Sequence, residues 1–136
     1  MLDSVIRKIF VRFVLLGLIA IPLTVAANDS QHQLKFELQA SMQNYIEDRL
    51  VDGEYLYLDT TNGAVARARP STAHPTILAV KDGYILCADF RTRAGENLNV
   101  DFFVTEVDSE YVVFSHTVED RGKVKMLMKQ GLAKKL

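Results

Sequence analysis

The chain has 136 residues, 49% of them hydrophobic and 24% charged, with 16 Lys+Arg against 17 Asp+Glu. That length holds one domain. The near-balanced charge excludes the basic surface that nucleic-acid binding needs, and the single cysteine, Cys87, excludes an internal disulfide.

Residues 1–27 read as a signal peptide ahead of the domain. Arg7, Lys8 and Arg12 make a positive n-region and residues 13–21 an apolar h-region. Pro22 breaks the segment, and Val25-Ala26-Ala27 supplies small residues at a signal-peptidase cut. The expectation is export, to a periplasm or out of the cell, with cleavage after Ala27; the alternative is an uncleaved membrane anchor. No cysteine stands near the cut to carry a lipid. Cleavage takes away Arg7, Lys8, Arg12 and Asp3, so residues 28–136 keep 13 basic and 16 acidic side chains, a net charge of -3. A single domain of that size removes roughly two thirds of its unfolded surface from water.

The domain opens with a helix. Ser30 followed by Gln33 has the form of a capping box, and Leu34, Leu38, Met42, Tyr45, Ile46 and Leu50 fall on one stripe at helical period. Asp52-Gly53 is expected to end it, the glycine taking a left-handed conformation. Residues 54–59 then alternate as a strand up to Asn62-Gly63, a hairpin signal, and residues 64–69 return with Val65, Arg67 and Arg69 on one side. Pro70 is expected to stop that strand, with residues 70–75 as a loop.

A second hairpin is predicted over residues 76–81 and 84–91 around an Asp82-Gly83 turn, in a register that pairs Leu78 with Cys87 and Val80 with Ile85. Both faces of this pair are apolar, so something must cover the second face. Residues 98–107 carry Leu98, Val100, Phe102 and Val104 on one face. After a three-residue break, Val112, Phe114 and Val118 are expected on the same face, with Phe102 opposite His116 and Val104 opposite Phe114. The end of the chain, with Val124, Leu127, Met128 and Leu132, reads as a short helix with Gly131 at the C′ position; the competing reading is a seventh strand. The helix is preferred because only it gives Gly131 a role.

The order is a helix, about six antiparallel strands and a short C-terminal helix. This α+β arrangement, with a helix packed on a curved antiparallel sheet, resembles the cystatin-like or NTF2-like roll at the level of fold. The Gln-x-Val-x-Gly loop of cystatin inhibitors is absent, so no function comes with the resemblance.

Several residue sets bear on chemistry. Cys87, between apolar neighbours, reads as a small buried hydrophobe. Asp89 and Asp101, near strand ends, form a candidate acid/base pair, with His116 as a further candidate. Arg67 with Arg69, and Arg91 with Arg93, are alternate-residue pairs that make a forked-donor patch for a carboxylate or phosphate if their strands lie close. His32, His74 and His116 are scattered without metal-ligand spacing, so neither a metal nor a cofactor is implied. The lysine-rich end of the chain suits an acidic partner or anionic head groups.

Two functions are compatible with these features. One is an exported, non-catalytic binding module whose second sheet face, around Leu78, Val80, Ile85 and Cys87, meets a protein partner or a second copy. The other is a small roll-type enzyme with Asp89, Asp101 and His116 in a pocket between helix and sheet. The first is preferred because no catalytic spacing is present.

Overall fold

The structure is a computed structural model that describes residues 24–136. Most of the segment read as a signal peptide therefore lies outside the described residues. Helix α1 spans Thr24–Glu47, so Ser30 lies within it and not at its cap. Gln33 bonds one turn onward instead, its Nε2 donating to Glu37 Oε1 at 2.6 Å. The apolar stripe is the buried one: Leu38, Met42 and Ile46 are buried, with Leu34 and Tyr45 packed beside them. The packed part of α1 thus begins at Leu34, beyond the expected cleavage point.

The helix stops before Asp52-Gly53. Those two residues, with φ of 55° and 76°, form the turn between strand β1, Leu50–Val51, and strand β2, Glu54–Asp59. An Asp-Gly pair supplies two positive-φ positions, and a type I′ hairpin uses both where a helix end uses one. Leu50 still reaches the core, but from a strand.

Strand β3, Ala64–Ala73, follows a loop over residues 60–63. The Asp59 carboxylate organises that loop, accepting from the Thr61 N–H at 2.9 Å, Thr61 Oγ1 at 2.6 Å and Asn62 Nδ2 at 2.9 Å. β3 runs on through Pro70, contrary to the expected loop. Its pairing with β2 ends at Ala68, and a bulge between Pro70 and Thr72 accommodates the residue that lacks an N–H.

Strands β4, Leu78–Val80, and β5, Gly83–Thr92, are joined by Lys81-Asp82, one residue earlier than expected. Leu78 therefore pairs with Ile85, and Val80 with Gly83. The register moves by two residues, which leaves every side chain on its predicted face. Strand β6, Asn97–Val107, is the reason. A Cβ on Gly83 would collide with the Val104 carbonyl oxygen, so the glycine serves a close approach to β6 and not the turn.

Strand β7, Glu110–Val118, is reached through a two-residue turn in which Asp108 and Ser109 have φ of 51° and 67°. Such a turn alone would put the two apolar rows on opposite faces. A bulge beside Phe103 and Val104 restores the expected Phe102–His116 pairing further along. Val104 then faces Val113 instead of Phe114. Val113 is buried, whereas Phe114, 65% exposed, and Val112 are turned away from the core.

The eight strands among the described residues form one antiparallel sheet ordered β1-β2-β3-β5, with β4 beside β5 and the last two-residue strand, β8, Lys134–Lys135, beside β4; β6 pairs the other edge of β5 and β7 lies outside it. The sheet curls against α1. Tyr55, Ala68, Leu86, Phe90, Val100, Phe102 and Val104 fill the inner side. On the outer side lies helix α2, Gly122–Lys129, which the sequence predicts. Gly131, with φ of 71°, ends it in a Schellman arrangement: the Leu132 N–H donates to the Leu127 carbonyl at 2.9 Å and the Gly131 N–H to the Met128 carbonyl at 3.0 Å. Val124 and Ala133 close over Leu78 and Ile85, covering the second apolar face from within the chain.

Candidate binding face

Alternate residues of β5 point outward, so Ile85, Cys87, Asp89 and Arg91 stand in one row about 7 Å apart. Each meets different neighbours. At one end, Arg69 on β3 lies directly opposite Arg91 on β5, and Arg67 shares their face. Three of the four arginines converge on Glu54, a residue the sequence reading passed over. Arg93 holds its carboxylate in a fork, Nε to Oε1 at 3.0 Å and Nη2 to Oε2 at 2.5 Å. Arg67 Nη1 and Arg69 Nε stand 3.6 and 3.7 Å away. Glu54 is buried beneath them, and the Arg93 hydrogen bond above all holds its carboxyl below the usual range. Arg91 donates to the Gly95 carbonyl at 3.1 Å. A cleft of about 380 Å³ opens between Glu54, Arg69, Arg91, Thr92 and Arg93.

In the middle of the row, Asn99 on β6 donates from Nδ2 to Asp89 Oδ1 at 3.0 Å and to Cys87 Sγ at 2.9 Å. His74 Nε2 bonds Asp89 Oδ2 at 2.9 Å and, with Asn99, keeps that carboxylate below its usual range. Asp101, opposite Cys87, is 1% exposed and lies 3.3 Å from Arg121 Nη2 at the start of α2. Burial raises the Asp101 carboxyl, with Arg121 pulling it back. Asp101 and Arg121 border a cavity of about 230 Å³, shared with His74, Cys87 and Lys135. Among the described residues Asp101 Oδ1 and Arg121 Nε find no hydrogen-bond partner, and the cavity is wide enough for water molecules to supply one.

The candidate acid/base set does not come together. Asp89 and Asp101 share the outer face, the first hydrogen-bonded to His74 and Asn99 and the second ion-paired with Arg121, while His116 faces inward. There Tyr45 Oη lies 3.0 Å from His116 Nδ1, and burial lowers the imidazole. Nor is Cys87 a poised nucleophile: burial pushes its thiol up to about 11, and its hydrogen bond is to Asn99, not to His74. Among the described residues, no group of three or more His, Cys, Asp and Glu is placed to hold a metal ion.

Compared with known protein families, curated proteins and solved structures, the chain matches none. What the outer face does is therefore argued from its own chemistry.

At the far end of the row, α2 covers only part of the apolar surface. A groove of about 460 Å³ remains, bordered by Val80, Tyr84, Phe103, Phe114, Leu127 and Leu132. Phe114 reaches it because the β6–β7 bulge turned that residue outward against Phe103, with ring centroids 6.4 Å apart. Lys81 and Asp82 lie on the border, and the covering segment beside it carries Lys123, Lys125, Lys129, Lys134 and Lys135 without an acidic residue among residues 121–136. Sequence alone could not have placed this groove, since it depends on a bulge that no turn signal marks.

Proposed function

We propose that the protein is an exported, non-catalytic interaction module, cystatin-like or NTF2-like in fold, that docks a protein partner through the groove beside α2. The single observation that carries this reading is the groove itself: an apolar floor with two large exposed side chains, Phe114 and Leu132, beside a basic covering segment. An aromatic anchor seated in such a groove is the usual centre of a protein interface. The basic covering segment beside the groove favours an apolar partner segment flanked by acidic residues. The protein's own β6–β7 tip has that composition, with Glu106, Asp108 and Glu110 beside exposed Val107 and Val112, so a second copy is an eligible partner. The n-region, h-region and small residues of residues 1–27 support export and release after Ala27.

A photo-crosslinking residue in place of Phe114, in cells producing the full chain, tests both parts. The expected result is a defined adduct in the exported fraction, identified by mass spectrometry, in which this chain begins at Asn28 and which Leu132→Asp abolishes. Twice the chain mass identifies a second copy. Labelling no greater than from Phe36, exposed on α1, overturns the docking reading, and a chain retaining residues 1–27 overturns the cleavage.

A further inference from the structure

Arg69 and Arg91 oppose each other across β3 and β5 on one face of the sheet. Like charges in that position cost stability, and they do so here in a domain whose overall balance after cleavage is acidic. The cluster is therefore not the by-product of a basic surface. Glu54 offsets part of it, but in the lining of the cleft one carboxylate stands against the guanidinium groups of Arg69, Arg91 and Arg93, a formal excess of two positive charges, and Arg67 lies 3.6 Å from the same carboxylate.

Each guanidinium has five N–H donors in a planar fork. Glu54, with two oxygens, engages Arg93 fully and Arg67 and Arg69 only at long range, which leaves most donors of Arg69 and Arg91 to the cleft. At the same time the buried carboxylate holds Arg93 by two hydrogen bonds and the Gly95 carbonyl holds Arg91. A ligand arriving there meets these two guanidinium groups already positioned, which lowers the ordering cost of binding. A single carboxylate would leave one of the two excess charges in place. A group with three or more oxygens and two charges matches both the number of forks and the charge.

From this geometry we infer that the cleft between Glu54, Arg69, Arg91 and Arg93 is a binding site for a phosphate-type oxyanion. The inference is independent of the groove beside α2, which lies at the other end of β5. Such an oxyanion reaches the protein either free in solution or as the head group of an anionic lipid.

The test compares thermal unfolding of the purified full chain in inorganic phosphate and in chloride at equal ionic strength. Phosphate at about ten times its dissociation constant is expected to raise the midpoint by roughly 5 °C. The double variant Arg69→Gln/Arg91→Gln is expected to lose that increment and, freed of the opposed charges, to unfold in chloride no earlier than the natural chain. A parallel arm measures co-sedimentation with phosphatidylcholine vesicles with and without phosphatidylglycerol: binding that needs the anionic lipid and is lost in the double variant identifies the head group as the source. A charge control, Lys123→Gln/Lys125→Gln/Lys129→Gln on α2, is expected to keep both responses. The inference is overturned by the absence of both responses in the natural chain, by their persistence in the double variant, or by equal loss in the control.

Discussion

On its inner side β5 presents Leu86, Ala88 and Phe90, all buried with the α1 stripe in one core. On its outer side the same strand presents Ile85 to α2, Cys87 to Asn99, Asp89 to His74 and Arg91 to the arginine cluster. The inner row has one chemistry because one core, closed by α1, buries it. The outer row changes every second residue because a different part of the chain arrives at each. An antiparallel sheet with one wet face shows a regular alternation of apolar and polar residues; here the second face is divided among a hydrophobic cover, a buried ion pair and a cationic cleft. The binding chemistry proposed for this protein lies on that divided face.

The comparison is broken most severely by removing the cover. Deleting residues 122–136 takes Val124 and Ala133 off Leu78 and Ile85 and leaves Arg121, the partner of Asp101, at the chain's end without the helix that follows it. The loss of that apolar burial is expected to cost more than about 3 kcal/mol, with aggregation or larger oligomers in size-exclusion chromatography. A truncated chain that stays monomeric and as stable to urea as the whole would show that the outer face needs no cover.

Arg121→Met isolates the ion pair from the rest of α2 and, with Arg121 itself partly exposed, is expected to cost about 2–3 kcal/mol near neutral pH. Asp101 has its carboxyl raised above the ordinary 3.8, so the folded state keeps a proton that the unfolded state releases. Its contribution to stability therefore falls as pH rises from 3.8 through the folded-state value. Arg121 lowers that value, and removing it widens the window. Urea unfolding at pH 4 and pH 7 should show a deficit that is smaller in acid; equal deficits would mean that the loss comes from packing and not from the Asp101 charge.

The smallest effect concerns Cys87, the outward residue nearest the ion pair. With the thiol buried and pushed up to about 11, labelling at pH 8 should be slow in the folded protein and fast in denaturant. Cys87→Ser should change stability by no more than about 1 kcal/mol. Rapid labelling of the folded protein would place the thiol in an open, reactive setting and remove the middle of the row from the buried class.

Part of the candidate site was legible before folding. The alternation of Arg67 with Arg69 and of Arg91 with Arg93 put each pair on one side of a strand, because strand geometry repeats every two residues. Glu54 was not legible as their centre. It opens a strand of tyrosines and leucines, and its role depends on β2, β3 and β5 lying side by side, which no local signal states. His74 was missed for a related reason: Pro70 and Pro75 mark irregular chain, yet β3 runs on to Ala73 and sets the imidazole beside Asp89. His116 was grouped with Asp89 and Asp101 by residue type alone, and the facing of the strands separates them.

By itself the sequence determined the elements whose periodicity is long and whose face is single: the α1 stripe from Leu34 to Ile46, the β6 row from Leu98 to Val104, and the Schellman end of α2 at Gly131. It also determined that residues 76–91 had two apolar faces and needed a cover. Periodic burial is a local property, repeated over enough residues to outweigh exceptions. Only the tertiary structure decided the registers. Gly83 was drawn into the sheet by the Val104 carbonyl of β6, Asp52-Gly53 became a hairpin turn, and a bulge beside Val104 exchanged Phe114 for Val113 in the core. Each is a one- or two-residue adjustment whose local cost is small in either form, so contacts made with distant strands settle the choice.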